Sequence, residues 1–300
     1  MVENIVISND ELGQSLELDK VTTPWFILDY INWGQIEADQ STNKYVGQHG
    51  ESLVSNMLGT RDVELSGWVI ARSDDDMSSR KRFLNRFVNP LQQMTVTYND
   101  YVIAFYPATT IEYSDETTEN NEVVCKFIIE GTAYDPLFKD RNSSNVVAAQ
   151  VIPMFHFPLV IPEQPDPPGG VVFGLIETSL TMNVVNDGSI ETGMVITFSA
   201  RGSVTNPRIT NVNTQEYFAL NKELEAGEVV TINTNIGSKS IRGYINGETK
   251  NYFMYRDFGS TWLQLAVGDS LFVRSADENV DNLEVTIEFY NRYLEVQECY

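Results

Sequence analysis

Six of the chain's 11 prolines, Pro153, Pro158, Pro162, Pro165, Pro167 and Pro168, crowd into one stretch, and Gly169 and Gly170 follow them. Proline lacks a backbone donor and fixes φ, so no helix interior or central strand can run through such a segment. A Pro-rich stretch of this kind is expected to be an extended, semi-rigid spacer. With 300 residues, 42% of them hydrophobic and 11% aromatic, there is material for a separate core on each side. The predicted organisation is a first domain over residues 1–150, a linker over 151–169 and a second domain over 170–300.

Strand signals dominate both sides. Before the linker, residues 63–70 alternate apolar and polar, 95–98 and 102–106 flank a turn at Asn99-Asp100, and 123–130 alternate again. One segment, about 75–89 with its core at 77–88, has helical character. Asp74, Asp75 and Asp76 offer an N-cap and favourable negative charge, Phe83, Leu84, Phe87 and Val88 form an apolar face, and Pro90 ends it. Beyond the linker, short β runs such as 194–200, 228–235 and 283–290 are separated by turns at Asp187-Gly188, Asn206-Pro207 and Asn246-Gly247. The predicted class is mainly β, with a β-rich first domain carrying one helix and an antiparallel, jelly-roll-like β-sandwich second.

Charge narrows the partners. Forty-two acidic against 20 basic residues give a formal net charge of -22, spread over both halves of the chain. Such a surface repels phosphate backbones and anionic lipid, which are held by Lys and Arg, so neither nucleic acid nor membrane is an expected partner. The start of the chain lacks the basic and apolar regions of a secretory signal, and the longest apolar stretch, 151–161, is broken by Pro153, His156 and Pro158 and is too short to span a bilayer. Synthesis in the cytoplasm is expected. Cys125 and Cys299 show no metal-site spacing, and Cys125 is expected to be a buried strand residue.

Catalytic and metal-binding patterns are weak. Only two histidines occur, His49 in a Gly-rich loop and His156 between two phenylalanines beside the linker, and neither is accompanied by a nucleophile motif. No Gly-rich phosphate loop precedes a helix. Asp277, Asn279, Asp281 and Glu288 match four positions of an EF-hand loop, but Asn282 stands where the loop requires Gly and Glu288 lies within a strand pattern, so a polar turn is expected. No enzyme activity, cofactor or metal is predicted. Arg80, Lys81, Arg82 and Arg86 form the dense basic cluster of an otherwise acidic chain, so Arg80, Arg82 and Arg86 are candidate protomer contacts. The alternative is a set of solvated helix residues balancing Asp74, Asp75 and Asp76.

Several stretches together resemble the distal tail proteins of long-tailed siphophages across nearly the whole chain. In the first domain these are Arg61-Asp62-Val63-Glu64-Leu65-Ser66-Gly67-Trp68-Val69, the helix with Leu84 followed by Asn89-Pro90, and Tyr134-Asp135-Pro136-Leu137-Phe138. In the second they are Phe155-His156-Phe157-Pro158-Leu159, Asn186-Asp187-Gly188, Asn206-Pro207, Ala226-Gly227-Glu228, Trp262-Leu263-Gln264-Leu265 and Gly268-Asp269, where the family pattern carries Asn at Asp269. The resemblance implies an N-terminal split β-barrel whose protomers close into a ring, a hexamer, and a C-terminal galectin-like or carbohydrate-module-like sandwich outside it. It implies a structural protein of the virion tail tip. The implied partners are further copies of the chain, the tail tube protein, a tail-associated hub protein and a receptor-binding or fibre protein.

A rival from another class is a carbohydrate-binding protein that attaches to host cell-surface glycan. Sandwiches hold sugars by stacking them on aromatic rings, and Tyr244, Tyr252, Tyr255 and Trp262 are the candidates. The competing expectation is that Trp262 belongs to the core and the tyrosines decorate strand edges.

Overall fold

The computed structural model describes residues 5–18, 25–119, 122–147, 150–153, 174–177 and 180–296. Contacts along the chain divide it into two compact units, Met1–Asn142 with Tyr293–Tyr300, and Ser143–Arg292. This grouping differs from the expected 1–150 and 170–300 at both ends, for a reason local hydropathy cannot carry. The strand Ser144–Val147 pairs with Leu283–Phe289 of the second unit, and Val296 enters the core of the first. Of the expected linker, Gln150–Pro153 forms a two-stranded ladder with Gly174–Glu177, and residues 154–169 lie outside the described residues.

The first unit contains β1 (Ile5–Asn9), β2 (Gln14–Glu17), β3 (Phe26–Asn32), β4 (Ala38–Asn43), β5 (Ser52–Leu58), β6 (Arg61–Ala71), α1 (Asp74–Phe87), β7 (Met94–Tyr98), β8 (Tyr101–Pro107), β9 (Glu112–Tyr113), β10 (Thr117–Glu119), β11 (Glu122–Ala133) and β12 (Phe138–Asp140). Its main sheet is antiparallel in the order β2-β1-β7-β8-β11-β6-β3. The period-two patterns determine which side faces inward. Val63, Leu65, Val69 and Ala71 of β6 and Cys125, Phe127 and Ile129 of β11 enter one core, and the intervening Asp62 and Glu130 remain exposed.

Helix α1 closes over this core through Met77, Leu84 and Phe87, each such buried side chain contributing about 1.5–3 kcal/mol. Its N-cap is Ser73, whose Oγ accepts the Asp76 N–H at 3.3 Å. That corrects the expected cap. Asp74, Asp75 and Asp76 instead occupy the first turn, where their charge complements the helix dipole. Phe83, expected on the apolar face, is partly exposed but stacks on Phe87, with ring centroids 6.1 Å apart.

The second unit is a sandwich. Its strands are β13 (Ser144–Val147), β14 (Gln150–Pro153), β15 (Gly174–Glu177), β16 (Thr181–Asn186), β17 (Thr192–Ala200), β18 (Val204–Thr205), β19 (Arg208–Asn211), β20 (Tyr217–Ala219), β21 (Glu223–Leu224), β22 (Val229–Asn233), β23 (Ser240–Ile245), β24 (Glu248–Asn251), β25 (Gln264–Leu265), β26 (Gly268–Ser275) and β27 (Leu283–Phe289). One antiparallel sheet runs β13-β27-β17-β22-β23-β24 and the other β16-β26-β19-β20. Ile196, Phe198, Ile232 and Ile287 of the first meet Met182, Val184, Ile209 and Phe272 of the second in one core. The Asn246-Gly247 turn between β23 and β24 has φ of 52° and 83°, the two positive values a tight primed hairpin turn requires.

Candidate assembly and recognition surfaces

The basic cluster lies on α1, but the fold separates its members. Arg80 is held within the chain, its Nε and Nη2 each donating at 2.9 Å to the Asp76 carboxylate, with its guanidinium 4.0 Å from the centroid of the Trp25 ring. That hydrogen-bonded pairing holds the Asp76 carboxyl below its ordinary value. Lys81 bonds Glu116 at 2.7 Å. Arg82 and Arg86, one turn apart, are exposed beside Phe83. Of the three arginines, these two remain available to another molecule.

The aromatic set of the second unit does not form one exposed platform. Tyr244 is exposed on β23, whereas Tyr252 is buried against Gly243, and Trp262 lies between the rings of Phe218 and Phe253 at 5.4 and 5.9 Å. Tyr255 meets Tyr252 edge-on at 5.2 Å. Burial raises the Tyr252 hydroxyl to about 12, aided by its bond to Glu228. Burial also opposes the charge of Glu228, yet the Glu225 N–H, the Tyr252 hydroxyl and Lys222 at 2.9 Å together hold this carboxyl below its ordinary value. Of the four, Tyr252 forms part of a buried polar lock with Glu228, whereas Tyr244 stays exposed.

Among the described residues, no three His, Cys, Asp or Glu side chains are grouped to hold a metal ion. Asp277 accepts from Asn206 Nδ2 at 2.8 Å, Asn279 adopts a left-handed φ of 59°, and Glu288 lies on β27 opposite Asn145 and Val195. His49 is exposed in the loop between β4 and β5, and His156 lies outside the described residues. Cys125 is a buried free thiol on β11. No helix of the described residues is long and apolar enough to cross a membrane.

Three surface features of the first unit, an arm, a cleft and a hollow, carry no signal in the hydropathy pattern. Among the described residues, the strands β4 and β5 pair only with each other, forming a two-stranded arm whose Tyr45, Val46, Leu53, Val54 and Met57 are exposed. The sequence marks the arm's turn through Gly47 and Gly50, which take φ of 84° and 78° in the connecting loop. Hydropathy gives no further sign of the arm, because neither strand shows apolar alternation. Near the root of this arm is a cleft of about 460 Å³ lined by Asn32, Gly34, Asp62, Glu64, Glu130 and Thr132 among others. A hollow of about 420 Å³ sharing Ala108 and Thr132 with it is lined by Pro90, Tyr106, Pro107 and Tyr134.

The chain matches two family models in order. Residues 20–130 match the phage tail protein RIFT-related domain, and residues 187–293 match the siphovirus-type tail component, C-terminal domain. Among solved structures, the crystal structure of the Dit protein of phage SPP1 is similar in fold, with 14% identity over 96% of this chain and 98% of that one and a TM-score of 0.63. Its description there is a paradigm of hub adsorption apparatus in Gram-positive infecting phages. A chain of the phage P2 baseplate in its activated conformation with Ca aligns at 11% identity over 96% of this chain and 98% of that one, with a TM-score of 0.49. No curated protein sequence matches.

Proposed function

Because the chain belongs to the distal tail protein family of siphophages, we propose that it works by assembly geometry and not by chemistry. It is a structural component of the distal end of a phage tail. In our reading it closes into a homo-oligomeric ring, a hexamer, on the tail tube and links that tube to the baseplate, the hub and the receptor-binding or fibre protein. The first unit forms the ring as a split barrel, and the second stands outside it as a galectin-like attachment point. The chain is made in the host cytoplasm before it joins the virion.

The observation that carries this reading is the order of the two family matches along one chain, one on each side of the Pro-rich segment. Arg82 and Arg86, exposed on an otherwise acidic chain, support it as a means of setting register against an acidic neighbour. Ring closure follows when one heterologous contact repeats about a single axis.

Native mass measurement and sedimentation of the purified full chain test the proposal. A ring sediments at several times the 33.9 kDa of one chain. A single 33.9 kDa species at every accessible concentration would refute it, as would polysaccharide hydrolysis abolished by one carboxylate substitution.

A further inference from the structure

We infer that the β4–β5 arm of one protomer seats its tip in the acidic cleft at the root of the next protomer's arm, an inference that rests on the ring reading above. Four observations on the first unit carry it.

The arm is unusually bare. Met57 is 70% exposed, Val54 62% and Leu53 57%, and both outer edges of its ladder are unpaired among the described strands. Unpaired edges with exposed apolar side chains are a liability unless another surface covers them. Cross-strand register places Leu53 opposite Thr42 and Leu58 opposite Ala38, with a bulge that leaves Val54 without a partner.

The tip is built to hold its shape. The Gln48 N–H donates to the Tyr45 carbonyl at 3.1 Å, Gln48 Nε2 donates to Ser52 Oγ at 2.8 Å, and the Tyr45 N–H donates to Gln48 Oε1 at 3.3 Å. A preordered tip loses less conformational freedom on docking than a floppy one.

The tip and the cleft are complementary in charge and character. The tip loop, residues 44–51, carries Lys44, His49 and one acid, Glu51, whose carboxylate is engaged within the arm by Thr42 Oγ1, with Tyr45 and Val46 exposed beside them. The cleft presents Asp62, Glu64 and Glu130 and is lined by no lysine or arginine. Next to it, Tyr106 and Tyr134 stand 5.8 Å apart, ring to ring, with Tyr134 70% exposed. Lys44 thus has carboxylates to meet, and Tyr45 and Val46 have rings to pack on.

Geometry assigns the occupant to a second copy. Asn32 and Gly34 line the cleft just before β4 begins, and Asp62 lines it just after β5 ends. The cleft therefore lies at the arm's own root. At about 3.4 Å per residue, a six-residue strand carries the tip roughly 20 Å from that root, so a chain cannot fill its own cleft with its own tip. A tip-to-root contact is heterologous, and repeated about one axis it closes a ring.

The test uses the full chain in three variants, Lys44→Glu, Glu130→Lys and the two combined, examined by sedimentation over a dilution series, with circular dichroism as the folding control. Each single reversal is expected to raise the concentration of half-dissociation by about tenfold or more, and the combination is expected to recover a large part of that loss. The far-ultraviolet spectrum is expected to be unchanged, because both side chains lie outside the core. A wild-type ring unaffected by either reversal would overturn the arm contact while leaving the ring intact. A wild-type chain that never assembles would instead remove the ring reading on which the inference rests. Failure of the combined variant to recover assembly, with both singles impaired, would also overturn the direct pairing of tip and cleft.

Discussion

The guanidinium of Arg61, fully buried at the start of β6, donates from Nη2 to the backbone carbonyl of Leu294, so a residue near the chain's end completes the site of one from its first fifth. The same group donates to the carbonyls of Pro136 at 2.8 Å and Trp33 at 2.9 Å, and it packs over the Phe138 ring with Glu295 3.7 Å away. Burial presses Arg61 below the ordinary arginine value, but four carbonyls facing one cation, that of Gly34 at 3.4 Å among them, hold its charge in place. Beside it Tyr293 meets Tyr101 edge-on at 5.2 Å.

Replacing Arg61 with Met is expected to cost at least about 3 kcal/mol, because each buried carbonyl left without a donor costs about 1–3 kcal/mol. Urea denaturation of the full chain measures it. Removing residues 293–300 should produce a loss that is not additive with the substitution, since both act on one network. Full additivity would show that Arg61 and the C-terminal return are independent.

The Glu228 lock predicts a stability change at each end of the pH scale. The folded-state value of Glu228 lies below its ordinary 4.5, so its contribution is present above that pH and is lost as pH falls through the lowered value. Tyr252 is raised from 10.0 to about 12, so its contribution is present below pH 10 and is lost between 10 and about 12. Urea midpoints followed against pH should show Glu228→Gln flattening the acid limb and Tyr252→Phe the alkaline one. Unchanged limbs would remove the lock.

Gly243 faces this lock from β23. A Cβ there would stand 2.0 Å from Cε2 of Tyr252, so Gly243→Ala must displace the ring. A loss of about 1–3 kcal/mol is expected from overpacking, visible as a lower melting temperature. The paired change with Tyr252→Phe should not relieve it, because the clash is with the ring and not with the hydroxyl.

On α1, changing Arg82 and Arg86 together to Glu is expected to weaken assembly at moderate salt, whereas Lys250→Glu on the second unit should leave it unchanged. Exposed charge pairs contribute only about 0.2–1 kcal/mol each, so dilute protein is needed. Sedimentation at two ionic strengths decides it, since an electrostatic contact loses its effect as screening rises.

Much of the architecture was legible because it is written in short-range patterns. The alternation through Val63, Leu65 and Val69 marks a strand with one buried face, and Asn246-Gly247 marks a hairpin because few other dipeptides tolerate two positive φ values. The helix announced itself through Leu84, Phe87 and Pro90, although its cap fell on Ser73, one residue before the aspartates. The three arginines looked alike in sequence. Only the fold set Arg80 against Trp25 and Asp76 and left Arg82 and Arg86 outside.

Other features depended on residues distant in the chain. Arg61 could be marked from its neighbours as the entry to a strand, but its burial requires carbonyls from Trp33, Pro136 and Leu294, which no local pattern links. Tyr244 and Tyr252 flank one hairpin, yet the first is exposed and the second buried, because Gly243 leaves the space that the Tyr252 ring fills. The β4–β5 arm escaped notice for the complementary reason. Hydropathy periodicity reports burial within the chain, and a strand pair with neither face covered writes no such period. Sequence by itself therefore determined the class of the fold and the positions of its turns, which arise from local backbone preference and one-face burial. The tertiary structure alone decided which charges are enclosed, where the chain's end returns and which surface stays bare, because each depends on contacts between segments far apart in the chain.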